Sequence, residues 1–417
     1  MTDYYDDLEC RDPEERERAL MAALPGQVGH AQDQASGLAK ILTGIPAADI
    51  TSRDALARLP VTRKSDLIAL HEASPPFGGL NATPTSGLRR LFLSPGPIAD
   101  LQGRGPDWFR FGRALYAAGV RPGEVVHNCF SYHLTPAGFM MEDAAAAIGC
   151  PVFPGGVGNT DRQVQAIHHF GASVYAGTPD FLMVILDKAE ELGVDIATLT
   201  KATVGGGALF PAVREEYRRR GVHVRQNYGT ADCGLIAYES EAMEGLIIDD
   251  SIIVEIVQPG TNDLAADGEI GEVVVTLLNP DYPLIRFGTG DLSSFMLGQS
   301  SCGRTAPRIK GLVGRADQTT KIRGMFVYPG QMDAVVKQAA EIGPAITKVR
   351  LEVGNEDGRD TARLLCEVGD APGGPPLAGG VEEIFTDICK VHANVEYVKT
   401  GSLPNDGKII DDTRSYD

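Results

Sequence analysis

Between about residue 108 and residue 255 the chain alternates short apolar runs with longer amphipathic stretches. Val125-Val126-His127-Asn128-Cys129-Phe130, Val152-Phe153 and Ser173-Val174-Tyr175-Ala176 have the length and texture of buried strands. The spacing between them predicts helices over 108–119 (ending at Gly119), Pro136–Ile148, Asp161–Phe170 and Pro179–Leu192. Strands parted by helices of this length imply right-handed crossovers and a largely parallel sheet. From Ile252 the pattern changes to hairpins, with Ile252–Val257 and Glu272–Leu277 flanking the turn pair Asp267-Gly268. Residues 1 to about 75 read as helices with polar joints: Asp12-Pro13-Glu14-Glu15 marks a helix start, and a polar run, Thr62–Asp66, follows Leu59-Pro60-Val61.

A boundary is expected at Asp317, separating a domain of residues 1–316 from a small α+β lobe, 317–417, with one Gly/Pro-rich loop at Asp370–Gly380. The expected fold class is α/β: a large N-terminal domain of parallel-sheet layers plus a hairpin-rich subdomain, and a small C-terminal α+β domain. At 417 residues the chain exceeds the size at which one hydrophobic core usually stops growing, so more than one lobe is required.

Composition narrows the partners. With 43% hydrophobic and 23% charged residues the chain is an ordinary globular protein, and its net charge of -18 argues against nucleic acid. A negative protein that handles anionic ligands must concentrate positive charge locally. Arg304, Arg308, Lys310, Arg315, Lys321 and Arg323 do so along the sequence, against one acid, Asp317. Seven cysteines without short repeat spacing fit free thiols in a reducing cytoplasm. The acidic N-terminus is neither a signal nor a transit peptide, and no run of about 18 apolar residues predicts a membrane span.

The candidate chemistry sits in three blocks. Pro283-Leu284-Ile285-Arg286-Phe287-Gly288-Thr289-Gly290-Asp291 is an apolar run ending in an acid. Gly314-Arg315-Ala316-Asp317 opens a basic strand that continues to Pro329, and Gly407-Lys408 comes near the end. In this order they suit a nucleotide site closed by a separate C-terminal lobe. The order resembles the signature of the AMP-forming acyl-CoA synthetase superfamily and, within it, the phenylacetate-CoA ligase branch, where the core reads P-L-I-R-Y-R-T-G-D-L and then G-R-x-D-D-x-x-x-x-R-G-V-x-V-x-P. Leu59-Pro60-Val61-Thr62-Arg63-Lys64-Ser65-Asp66-Leu67 is similar to the L-P-F-T-x-K-x-D-L of that branch.

The resemblance implies an enzyme that uses ATP and Mg²⁺ to turn a small carboxylic acid into an acyl-adenylate and passes the acyl group to coenzyme A. Both reactants of the first step are anions, so the site must supply positive charge, fixed donors and a metal. By resemblance, Asp291 and Arg315 hold the ribose, while Gly205, Gly206, Gly207 and Ala208 form the adenine-side loop. Tyr228 and Gly229, with Thr230, belong to a Y-G-x-[ST]-E-like block whose acid, Asp232, holds the metal. Lys408 is the late catalytic lysine and Asp317 the hinge of a lid that swaps adenylating and thioester-forming arrangements, the latter presenting Arg323 and Gly324 on the CoA side. Phe130, Tyr132, His133 and Phe139 would line an aromatic-sized acyl slot, with Met140 beside them.

The resemblance breaks in two places. The family's Ser/Thr/Gly-rich phosphate loop, S-S-G-T-T-G-K-P-T, survives only as Thr85-Ser86-Gly87, followed by Arg89-Arg90, which could hold pyrophosphate by side chain or mean poor ATP binding. The hydroxyl before the metal acid is replaced by Ala231, with Thr230 one residue early. The zinc ligands of some relatives fall on Glu239-Ser240, Gly245-Leu246-Ile247 and Ser300-Ser301-Cys302, so zinc is not expected. Two alternatives stay open: an adenylating enzyme with a non-CoA acceptor, and a non-catalytic nucleotide-binding relative. Neither a nucleic-acid nor a membrane partner is expected, and a homodimer is left open.

Overall fold

The structure, a computed structural model, describes residues 4–94, 97–207, 209–316, 320–322, 325–343, 346–356, 359–368, 378–404 and 408–414. They form two compact units. The first comprises residues 1–257, 262–289 and 294–311, and the second residues 258–261, 290–293 and 312–417. No helix among the described residues is long and apolar enough to cross a membrane.

The alternating region builds the parallel half of a nine-stranded sheet. Its strands lie in the order Val152–Pro154, Val126–Asn128, Val174–Gly177, Lys201–Val204 and His223–Thr230, all parallel. Helices Ala137–Ile148, Thr160–Phe170, Pro179–Leu192 and Pro211–Arg219 make the crossovers. Three of them end on a glycine in the left-handed conformation, Gly149, Gly171 and Gly193, as helix C-termini favour. Beyond His223–Thr230 the sheet turns antiparallel through Gly234–Tyr238, Leu246–Ile248, Arg308–Ile309 and Phe295–Met296.

The helix expected over 108–119 is shorter, covering only Gly112–Ala117. Asp107 and Arg110 adopt left-handed backbone (φ 43° and 67°), which interrupts a right-handed helix before it begins. The start at Asp12 holds: its carboxylate accepts hydrogen bonds from the Glu14 and Glu15 amides and caps Pro13–Gln34.

The hairpin region forms a second sheet ordered Thr62–Arg63, Phe287–Ser293, Gly271–Leu277, Ile252–Val257. Arg286, inside the apolar signature, is fully buried. Its guanidinium pairs with Glu255 at 3.0 Å and donates to the carbonyls of Ala57 (2.7 Å), Leu59 and Asn262 (3.1 Å). A buried cation with this many acceptors is a staple between the N-terminal helices and the hairpin sheet, not a ligand group.

Two residues of the expected basic segment are also internal. Arg304 is 1% exposed and pairs with Glu9 and Glu241, and Arg308, 5% exposed, pairs with Glu244. Sequence proximity suggested a basic face; acids from distant segments neutralise these members of it.

The second unit carries a four-stranded sheet ordered Asn394–Lys399, Arg359–Val368, Ile346–Glu356, Ile410–Asp412. Helices Pro329–Ala339 and Ala378–Cys389 belong to the same unit, whose core includes Met332, Val335, Leu351, Leu364 and Phe385.

Candidate active site

Strand order locates a crevice in the first unit. The strand formed first in sequence, Val126–Asn128, lies between the second, Val152–Pro154, and the third, Val174–Gly177. Chains leaving the carboxyl ends of the first and third strands therefore diverge, and ligands bind at such a switch point. Just past these ends lie Phe130 and Thr178. A Cβ placed on Gly206, in the loop after Lys201–Val204, would lie 3.9 Å from the Phe130 ring and 4.0 Å from the Thr178 methyl. Gly206 sits at φ 69°, and a Cβ on Gly205 would collide with the Asn227 side-chain carbonyl. The glycines thus bring bare backbone against a neighbouring side chain and leave room at the switch point.

The expected acyl-slot residues divide. Phe139 meets Tyr132 edge-on with ring centroids 5.1 Å apart and packs on Phe92 at 5.8 Å. The Tyr132 hydroxyl accepts from Asn128 Nδ2 at 2.7 Å, and burial holds its pKa well above the ordinary tyrosine value. Phe130 is nearly buried, Met140 lies in the core, and His133 is exposed on a turn.

Tyr228 is buried, with its hydroxyl 3.1 Å from Thr289 Oγ1, which in turn donates to the Val273 carbonyl at 3.0 Å. A Cβ on Gly229 would clash with the Gly234 carbonyl and the Phe111 ring, so the chain crosses itself closely there. Thr230 uses its hydroxyl locally, accepting the Cys233 amide at 3.0 Å.

Asp232 lies in an unexpected setting. It is 1% exposed and its Oδ2 pairs with Lys64 Nζ at 2.6 Å. Burial pulls the Lys64 pKa down, but the Asp232 carboxylate outweighs it and the net shift is upward. Asp100, equally buried, accepts from the Ser94 hydroxyl; burial and then the nearby Asp232 charge push its pKa well above the carboxylate range. Asp232 Oδ1 and Asp100 Oδ1 are both buried without a hydrogen-bond partner. His71 completes the corner: its Nδ1 accepts the Ala99 amide at 3.4 Å, and burial, opposed by Asp232, lowers its pKa.

Two buried carboxylates, each with an orphaned oxygen, suit a hard cation that takes one or two carboxylates and completes its shell with water and phosphate. Among the described residues no group of three or more His, Cys, Asp or Glu side chains could hold a metal by itself. Asp100 was not anticipated. Its signal is an acid between the apolar residues Ile98, Ala99 and Leu101 of the strand Ile98–Gln102, at a buried position.

The phosphate-loop remnant Thr85–Gly87 is a single 3₁₀ turn leading into the hairpin Arg90–Ser94 with Ile98–Gln102. Arg89 and Arg90 share the buried Asp143, at 3.1 and 3.3 Å, and Arg90 also bonds Gln102 and lies 4.3 Å over the Phe139 ring. Both arginines are therefore tied to the helix that carries Phe139. Glu239 forms two 2.9 Å bonds with Arg214.

In the second unit, Asp291 and Arg315 face each other across antiparallel strands and form an ion pair at 3.3 Å. Gly290, at φ 78°, lies beneath the guanidinium, where a Cβ would come within 3.0 Å of it. Lys408 is about half exposed and pairs with Asp411 at 3.1 Å. Ala208, Asp317, Arg323 and Gly324 lie outside the described residues.

No protein-family model matches the sequence. The phenylacetate-coenzyme A ligase of Thermus thermophilus is 30% identical over 376 residues, covering 86% of this chain and 83% of that protein. The Pseudomonas putida enzyme of the same name is 31% identical over 313 residues, 70% of this chain and 69% of that one. Among solved structures, a 2-hydroxyisobutyryl-CoA ligase with a bound acyl-AMP superimposes with a TM-score of 0.77 at 25% identity, over 97% of this chain and 91% of its own. An open form of that ligase with acyl-AMP and CoA gives 0.80 at 24% identity, a likeness of fold. By its similarity to the Thermus enzyme along most of both sequences, and by its fold, the chain belongs to the phenylacetate-coenzyme A ligase family of AMP-forming acyl-CoA ligases.

Proposed function

We propose that the protein is an acid–thiol ligase for a small aryl or arylalkyl carboxylic acid. The carboxylate attacks the α-phosphorus of ATP, pyrophosphate leaves, and the thiol of coenzyme A then takes the acyl group and releases AMP. The observation that carries this is the open backbone at Gly206 beside Phe130 and Thr178 at the switch point, on a fold that holds an acyl-AMP in a solved relative.

In this reading the Gly206 backbone and Tyr228 border the adenine, and Phe130, Tyr132 and Phe139 border the acyl group. Asp291, oriented by Arg315, receives the ribose hydroxyls. Asp232 and Asp100 would hold Mg²⁺, which when bound neutralises phosphate charge. Lys408 brings a cation to the charge that develops between carboxylate and α-phosphate, where a preorganised donor is most effective. With all seven cysteines present as free thiols, and with ATP and coenzyme A as substrates, we place the protein in the cytoplasm.

Pyrophosphate exchange over a panel of aryl and alkyl acids tests this. We expect exchange with phenylacetate or a close aryl acid and CoA-dependent thioester formation. Lys408→Ala should lose roughly 10²–10³-fold of the exchange rate while keeping AMP binding. AMP binding with no exchange for any acid would refute ligation; exchange without a CoA thioester would transfer the role to another acceptor.

A further inference from the structure

Lys408 is too exposed for packing to aim it, so its main chain must be fixed from elsewhere. The turn Gly401–Pro404, which precedes it, is gripped by two side chains from adjacent strands. Glu367, on Arg359–Val368, is only 4% exposed, and its Oε1 accepts the Leu403 amide at 2.7 Å. The amides of Leu403, Gly401 and Ser402 together hold this carboxylate below the ordinary glutamate range. Lys348, directly across the ladder from Glu367, donates from Nζ to the Pro404 carbonyl at 2.7 Å and the Leu403 carbonyl at 3.5 Å. One residue holds the donors of the turn and its neighbour the acceptors.

Beyond Lys408 the chain is anchored again on the same sheet. The Leu351 amide donates to the Ile409 carbonyl at 2.8 Å, Ile410–Asp412 pairs with Ile346–Glu356, and Arg350 holds Asp411 at 2.8 Å. Held backbone thus lies at Pro404 on one side of Lys408 in the sequence and at Ile409 on the other. A surface turn normally leaves such backbone groups to water. Placing a buried carboxylate on the Leu403 amide of this turn has a reason if the position of the following lysine matters, since a misplacement of about 1 Å can lower a rate roughly 10²-fold.

We infer that Glu367 and Lys348 are positioning residues for the adenylation half-reaction, gripping the Gly401–Pro404 turn so that Lys408 is presented in one place. The inference rests on Lys408 being the adenylating lysine. The test separates the half-reactions in the full-length protein: phenylacetate-dependent pyrophosphate exchange for the first, and thioester formation from synthetic phenylacetyl adenylate and CoA for the second. Glu367→Gln and Lys348→Met should each lower the exchange rate, the former by roughly 10–100-fold, with the KM for ATP within about twofold. Thioester formation should stay within about twofold of the unmodified protein.

A merely structural role would lower both half-reactions together, and that outcome overturns the inference, as does unchanged exchange in both variants. Should Glu367→Gln fail to fold, Lys348→Met decides, because Lys348 is only partly buried and its loss leaves the Glu367 contacts in place. Lys408→Ala is measured alongside. If it keeps exchange, the assignment of Lys408 falls; if it loses exchange while both positioning variants keep it, only the present inference falls.

Discussion

The Lys64–Asp232 pair offers the sharpest test of the metal role proposed for Asp232, because its energetics follow from burial. At 2.6 Å and an effective dielectric of about 20, the attraction is about 6 kcal/mol gross. Stripping water from a carboxylate that is 1% exposed offsets several kcal/mol of this, so the intact pair is near break-even. Lys64→Met leaves Asp232 charged and unpaired, and should destabilise the first unit by about 3–5 kcal/mol. Asp232→Asn should cost less, about 1–2 kcal/mol, because Lys64 is 24% exposed and retains access to water. The double variant should fall close to the milder single one, a coupling of at least about 2 kcal/mol. Urea unfolding followed by the fluorescence of the sole tryptophan, Trp108, reports on this unit. Millimolar Mg²⁺ should restore more stability to Lys64→Met than to the unmodified protein, where a cation must displace the ammonium first. Additive single effects, or equal Mg²⁺ stabilisation in both proteins, would refute the reasoning.

Asp107, whose pKa burial pushes up to about 7 against an ordinary value near 3.8, makes stability pH-dependent. Its contribution is fully present below about pH 4 and is lost as pH rises through about 7, because the folded chain holds a proton that the unfolded chain has released. Asp107→Asn stays neutral and tolerates φ 43°, so its melting temperature relative to the unmodified protein should improve from pH 5 to pH 8, and an equal difference at both would exclude the effect. Gly205→Ala drives a methyl into Asn227, whose side chain is held by Thr203 at 2.9 Å; the KM for ATP should rise roughly tenfold with that for CoA unchanged, measured by steady-state thioester formation.

Periodicity and punctuation in the sequence determined the crossover helices Ala137–Ile148, Thr160–Phe170 and Pro179–Leu192, the strands Val126–Asn128, Val152–Pro154 and Val174–Gly177, the hairpin Ile252–Val257 with Gly271–Leu277, and the helix start at Asp12, because these depend on residues a few positions apart; helix Pro211–Arg219 and strand His223–Thr230 came from the structure. The contiguous blocks around Asp291, Arg315, Tyr228 and Asp232 were legible for the same reason, as local backbone shape and side-chain type travel together. What tertiary structure alone decided is where each charge finds its partner. Lys64 meets Asp232 from 168 residues away, Asp143 ties down Arg89 and Arg90, and Glu9 and Glu244 neutralise arginines that looked like a basic face. Asp100 beside Asp232 and Glu367 beneath the Gly401–Pro404 turn stayed hidden because burial and electrostatic coupling are set by distance in space, which no spacing along the chain encodes.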